Sequence, residues 1–271
     1  MDDEAASRWI DSMSAAYERG LVPTVFRPFA VDLAARAVQL APRRVLELAA
    51  GTGVLTSEVL SALPNVELVA TDFNDAMVAV GSARASGASW RMADAMDLPF
   101  DADEFDLVLC QFGAMFFPDQ PVAFAEVRRV LASDGTFLLN VWGAVDAHDF
   151  QAAVIRACDK LFPEDPPVFM ASVPHYYADA DLLVADLRAG GLDAEVETVV
   201  FEGTAASASD IAAGYCFGTP VLAEVEARGG DPARVVEAIA AELTARLGPE
   251  PITGRMQAHV VRATVDSIHR K

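Results

Sequence analysis

The sequence predicts an α/β fold whose mostly parallel sheet offers a ligand site at the carboxyl ends of its strands. Three observations carry this. Val45, Leu46 and Leu48 form a short apolar run, interrupted by Glu47, of the kind a buried parallel strand uses. The turn Gly51-Thr52-Gly53 follows, and Val54 to Leu63 then reads as a helix ended by Pro64. A second β-rich run, Val66 to Thr71, closes on Asp72, which lies 72 − 51 = 21 residues after Gly51. Glycines let the backbone take positive φ and come close to a ligand. An acidic residue at that distance can accept hydrogen bonds from two ribose hydroxyls. NAD enzymes use the same device, so Asp72 alone does not choose the cofactor.

Further along, Asn74 suits the N-cap of the next helix, and Trp90 to Ala93 reads as a third strand. Phe105 to Cys110 is a fourth strand. Asp119 caps a helix of Val122, Phe124, Val127 and Leu131, Ser133-Asp134-Gly135 is a turn, and Thr136 to Trp142 is a fifth strand. Ahead of the first strand, residues 3 to 19 read as an amphipathic helix carrying Trp9, Met13 and Tyr17. Pro23 and Pro28 bracket a turn, and a second helix runs to about Leu40 with Ala30, Leu33 and Ala37 inward.

Composition limits the partners. The net charge is −20, and Lys160 and Lys271 are the only lysines. A nucleic-acid binder needs a basic surface to displace counterions, so no nucleic acid and no anionic membrane surface is expected as partner. No uncharged apolar run approaches the ~18 residues that cross a bilayer. The start, Met1-Asp2-Asp3-Glu4, is acidic where a signal peptide is basic, and Cys110, Cys158 and Cys216 lack metal-ligand spacing. The expectation is a cytoplasmic protein with reduced thiols and no metal, acting on a small molecule. Its oligomeric state is not legible.

Cofactor choice turns on what the glycine turn lacks. A dinucleotide fingerprint needs a third glycine where Thr56 stands, and there is no Walker lysine. Glu47-Leu48-Ala49-Ala50-Gly51-Thr52-Gly53 instead resembles motif I of the class I S-adenosylmethionine (SAM) methyltransferases. Asp72-Phe73-Asn74-Asp75-Ala76-Met77 resembles the second motif of their ubiquinone/menaquinone-biosynthesis branch, and Ala93 to Phe100 the third. The run from Glu126 through Asp134-Gly135 to Trp142 is similar to the same branch, so the resemblance covers roughly residues 16 to 142.

That resemblance implies a Rossmann-like seven-stranded sheet of order 3-2-1-4-5-7-6. The last strand is antiparallel, and helices lie on both faces. It also implies SAM as methyl donor and S-adenosylhomocysteine as product. Glu47, Ala49, Gly51 and Gly53 would form the cofactor turn and Asp72 the ribose contact, with Phe73 beside it. Met77 would pack on the adenine, while Asp94, Ala95 and Met96 would bond its edge. Gln111 and Phe112 would face the methionine part, and Tyr17 would cover the cofactor. Phe26, Met115, Phe116, His175 and Tyr176 are the expected acceptor contacts.

The whole chain is expected to be one methyltransferase domain. Residues 1–41 would be a helical lid, 42–145 the SAM-binding core, 146–192 a helical insertion shaping the acceptor pocket, and 193–271 the last strands and helices. Within these, a helix at about 148 to 161, another from Asp179 to Ala189, a sixth strand from Ala194 to Phe201, helical structure around 207 to 228 and a final strand from Arg255 to Val265 are read from periodicity. Asp231, Pro232 and Gly248 signal the ends of one further helix. A hydroxyl acceptor needs a general base. The candidates are His148, His175, Tyr176, Tyr177 and Tyr17, with His175 preferred; His259 and His269 receive no role. Two other functions share the features. An NAD(P)-dependent oxidoreductase would have to tolerate Thr56 and lacks a Tyr-x-x-x-Lys pair. A non-catalytic SAM-binding protein would keep the same motifs.

Overall fold

The strands stand in the order β3-β2-β1-β4-β5-β7-β6, as the motifs implied. They are β1 (Arg44–Leu48), β2 (Glu67–Asp72), β3 (Ser89–Met92), β4 (Phe105–Gln111), β5 (Leu131–Trp142), β6 (Leu192–Ala205) and β7 (Ile252–Val265). The first five are parallel, and β7 runs antiparallel to β5, with Thr136 opposite Thr264 and Trp142 opposite Ala258. The computed structural model describes residues 15–265. The expected helix around Trp9 and Met13 and the tail residue His269 lie outside the described residues, apart from the helical residues 15–20 at that helix's end. No helix among the described residues is long and apolar enough to cross a membrane.

Each strand's alternation sorts its side chains. On one face Val45, Leu107, Leu109 and Leu138 pack with Ala30, Leu33 and Ala37 of α1 (Arg27–Leu40) and with Leu55 and Val59 of α2 (Val54–Ala62). Burying each of the larger residues stabilises the fold by roughly 1.5–3 kcal/mol. α3 (Asp75–Arg84) follows β2, and Asn74 caps it by accepting from the Ala76 N–H at 2.9 Å. α4 (Gln120–Val130) buries Phe124 and Val127 and packs against α7 (Ala180–Ala189).

Three expectations are corrected here. Val122 lies in α4 as expected, but Leu131 already belongs to β5. The Ser133-Asp134-Gly135 turn is a bulge inside β5, because the register passes from Phe105↔Leu131 to Leu107↔Thr136. Pro23 and Pro28 do not bracket a turn either. Pro23 sits in a π-helical turn, Val22–Phe26, and Pro28 in the first turn of α1, where a missing N–H costs nothing.

The polypeptide divides into two compact units, each built from three separate segments. The sheet unit is Ala30–Gly143, Tyr176–Val199 and Ala258–Lys271; the helical unit is Met1–Phe29, Ala144–His175 and Val200–Gln257. In the helical unit α5 (Asp149–Leu161), α8 (Ala208–Phe217) and α10 (Pro232–Leu247) pack on one another around Phe150, Val154, Ile211, Ile239 and Leu243. Helical residues 15–20 come very close to α8: a Cβ on Gly20 would lie 2.6 Å from the Gly214 Cα. Two short helices complete the unit, α6 (Phe169–Ser172) and α9 (Val221–Ala227). Arg228 fastens the proline-rich loop by donating to the Asp165 carbonyl at 2.7 Å.

Candidate active site

The sheet unit gathers its chemistry on the loops that leave β1 to β4. After Leu48 the chain takes left-handed φ at Ala49 (50°), Gly51 (55°) and Gly53 (80°). The turn is pinned from β2, since the Ala50 N–H donates to the Thr71 carbonyl and the Gly51 N–H to Asp72 Oδ2 at 2.8 Å. Asp72 Oδ1 accepts from the Asn74 N–H at 2.9 Å. Burial raises the Asp72 pKa, against the pull of these backbone donors. A carboxylate oxygen offers more than one lone pair, so Asp72 retains acceptor capacity for a ligand. A Cβ built on Gly51 meets no atom within 4 Å, which leaves the space above the turn open.

Glu47 lies beneath that turn and is 1% exposed. The Thr56 hydroxyl donates to it at 2.7 Å. Desolvation pushes its carboxyl up to about 8, against that hydrogen bond, so it is protonated at neutral pH. Thr56 therefore occupies the place of a third glycine because Glu47 needs a partner there. Sequence reasoning treated Thr56 only as a missing glycine. The available signal was the acidic residue inside an apolar strand, which demanded a hydrogen bond from somewhere.

Phe73 is 73% exposed beside Asp72, with Met77 half-buried in the first turn of α3. Asp94, Ala95 and Met96 are half-buried after β3, where Asp94 Oδ1 accepts the Met96 N–H at 2.9 Å. At the end of β4, Gln111 is half-buried and Phe112 takes φ 50°. The Phe112 N–H reaches both the Asn140 carbonyl, at 3.0 Å, and Asn140 Oδ1, at 3.1 Å. Its ring stacks on Trp142, with centroids 3.5 Å apart and planes 7° apart. Asn140 is a second residue that the sequence reading missed, because its partner is a backbone group on another strand. A Cβ on Gly113 would fall 2.5 Å from the Ala49 Cβ, so the β4 loop and the β1 turn are in close contact. Met115 is buried there and Phe116 is 54% exposed.

The remaining expected residues divide between the units. Tyr17, Phe26, His148 and His175 belong to the helical unit; Tyr176 and Tyr177 belong to the sheet unit. The Tyr17 and Phe26 rings lie 4.9 Å apart. His148 is 1% and His175 8% exposed, with their rings 5.0 Å apart at 64°. Burial, then His175, lowers the His148 pKa to about 3, so this imidazole stays neutral. Tyr176 is 47% exposed. Tyr177 leaves the set of candidate bases: it is fully buried, and its hydroxyl donates to Asp186 at 2.8 Å. His259 is structural, its ring nitrogens meeting Thr198 Oγ1 at 2.9 Å and the Ala178 carbonyl at 3.1 Å.

A family model described as a methyltransferase domain matches residues 45–135. The ubiquinone/menaquinone biosynthesis C-methyltransferase of Dinoroseobacter shibae is 34% identical over 174 residues, covering 57% of this chain and 69% of that protein. The chain belongs to this branch of the class I SAM-dependent methyltransferases. The demethylmenaquinone methyltransferase of Thermus thermophilus is 40% identical over 118 residues, 42% of this chain and 52% of that one. With the first such relatives the chain matches about half of their length. The crystal structure of the YcgJ protein of Bacillus subtilis shares the methyltransferase fold, with a TM-score of 0.58 at 23% identity over 88% of this chain and 99% of that one. The open turn at Gly51, the acceptor at Asp72 and the exposed ring of Phe73 fit the SAM that this family uses.

Proposed function

We propose that the chain transfers a methyl group from SAM, by direct displacement, to a small apolar or aromatic metabolite. The observation that carries the reading is the Gly51–Asp72 hydrogen bond beneath open space, at the carboxyl ends of β1 and β2. Bound SAM supplies an electrophilic methyl carbon on a sulfonium. The residues of the chain bind and align. Asp72 would hold the ribose, Asp94 and the Ala95–Met96 backbone the adenine edge, and Met77 and Phe73 its faces. Gln111 and Phe112 would meet the methionine part, with Tyr17 covering the cofactor. Alignment of nucleophile, methyl and sulfur accounts for several kcal/mol of barrier lowering. Phe26, Met115, Phe116 and Tyr176 would contact the acceptor. For a hydroxyl acceptor, His175 would take the proton; a neutral His148 beside it adds no positive charge to disfavour that protonation.

A charge of −20 with two lysines supports a metabolite, rather than a nucleic acid, as the acceptor. The oxidoreductase alternative is disfavoured by Thr56, which stands where a dinucleotide fingerprint has its third glycine and whose hydroxyl donates to Glu47. Calorimetric titration with SAM and S-adenosylhomocysteine tests the cofactor reading. Wild type should bind both. Asp72→Ala should bind about tenfold or more weakly, since hydrogen bonds to a charged acceptor contribute ~1.5–3 kcal/mol. Equal binding by the variant removes the ribose role. Absence of binding to wild type, with a response to NADH, brings the oxidoreductase forward. SAM binding without methylated product across a broad acceptor set would instead favour the non-catalytic alternative. His175→Ala should lower turnover of a hydroxyl acceptor about 100-fold; full turnover would end its role as base.

A further inference from the structure

Phe112 is held in a conformation that bulky side chains avoid. Its φ of 50° lies in the left-handed region, which it shares with only Ala41, Ala49 and Asp103 among the described non-glycine residues. Such a residue persists where its surroundings over-determine it, and such residues collect at functional sites. The determining neighbours here stand on β5. The Phe112 N–H already meets the Asn140 carbonyl at 3.0 Å, and Asn140 Oδ1 adds a second acceptor at 3.1 Å. The Phe112 ring stacks on Trp142 of the same strand. Asn140 is fully buried, and its Nδ2 has no hydrogen-bond partner among the described residues. An unanswered donor at this depth costs stability, so the fold by itself would be better served by an apolar side chain. What the amide accomplishes is to fix the Phe112 backbone, without placing a charge in the sheet core. The next residue, Gly113, has no room for a Cβ, which would fall 2.5 Å from the Ala49 Cβ and 2.9 Å from Cys110 Sγ. The backbone at Phe112 therefore decides how the β4 loop lies against the β1 turn, which carries Gly51 and its bond to Asp72.

We propose that Asn140 is a positioning residue for methyl transfer. Through the Phe112 N–H it sets the β4 loop so that Gln111 and Phe112 hold the amino-acid end of SAM. Asn140 acts through Phe112 rather than on the reacting atoms, and its acceptor oxygen is the part that matters. The inference rests on the reading that Gln111 and Phe112 meet the methionine part of the cofactor, and it adds the residue that keeps them in place.

Calorimetric titrations with S-adenosylhomocysteine and with methylthioadenosine test it. The two ligands share the adenosine and the sulfur, and the second lacks the amino acid. Asn140→Leu should weaken S-adenosylhomocysteine about tenfold and leave methylthioadenosine unchanged. Asn140→Asp, which keeps an acceptor oxygen at the same reach, should recover most of the lost affinity. An asparagine that serves only the fold gives a different pattern: both ligands weaken together, or neither does. Either result overturns the proposal, as does an aspartate variant that binds as weakly as the leucine one. Asn140→Ala, which demands no extra room, carries the same comparison if the leucine variant does not fold. A chain that folds with neither substitution would show that Asn140 serves the fold, and that too overturns the proposal. Equal affinity of wild type for the two ligands is the separate result that removes the reading of Gln111 and Phe112 as contacts of the methionine part, and the proposal falls with it.

Discussion

At Glu47 a single carboxyl joins fold to chemistry. Its folded pKa is about 8 against an ordinary 4.5, because burial outweighs the Thr56 hydrogen bond. The unfolded chain releases this proton near pH 4.5 and the folded chain near pH 8. The contribution to stability is thus complete below pH 4.5 and is lost as pH rises through 8. Asp72, also raised by burial, acts in the same sense. Thermal melts should show Tm falling from pH 6 to pH 9, and Glu47→Gln should flatten that fall. A wild-type curve that stays level over this range would mean the carboxyl is ionised throughout. Legibility at this scale followed distance along the chain. Asp72 and the Asn74 cap could be read because their partners are local or at a fixed spacing. Thr56 and Asn140 could not, because what each bonds lies on a different element.

Among the elements, α3 and β3 meet at one glycine. A Cβ on Gly81 would fall 2.2 Å from the Trp90 ring, whose Nε1 donates to the Ala85 carbonyl at 3.0 Å. Alanine is the better helix former by ~1 kcal/mol, so an isolated helix would gain from Gly81→Ala. Here the ring has to move, and overpacking costs about 1–3 kcal/mol. The denaturant midpoint of Gly81→Ala should therefore fall; a rise would mean the ring yields freely. Element type was legible almost throughout, because the 3.6- and 2-residue periods are strong in this chain. The misses have local causes. The proline pair fits inside helix starts, where proline is tolerated, and helical structure around 207 to 228 is two helices parted at Gly218-Thr219-Pro220. β6 extends from Leu192 to Ala205, beyond the expected Ala194 to Phe201.

For the molecule as a whole, the strand order came from family motifs and the acidity limited the partners, but periodicity did not reveal the division into two units. That division needs contacts between residues far apart in sequence. The matched stretch, residues 45–135, lies wholly within the sheet unit's first segment. The helical unit is assembled from what remains on either side, in three instalments, and its seams fall between ordinary neighbours: Phe29 and Ala30, Gly143 and Ala144, His175 and Tyr176, Val199 and Val200, Gln257 and Ala258. A gene with this layout cannot exchange its helical unit by one crossover. Recombination between relatives would have to replace three stretches together, so point substitution is the simpler evolutionary route to changing that unit.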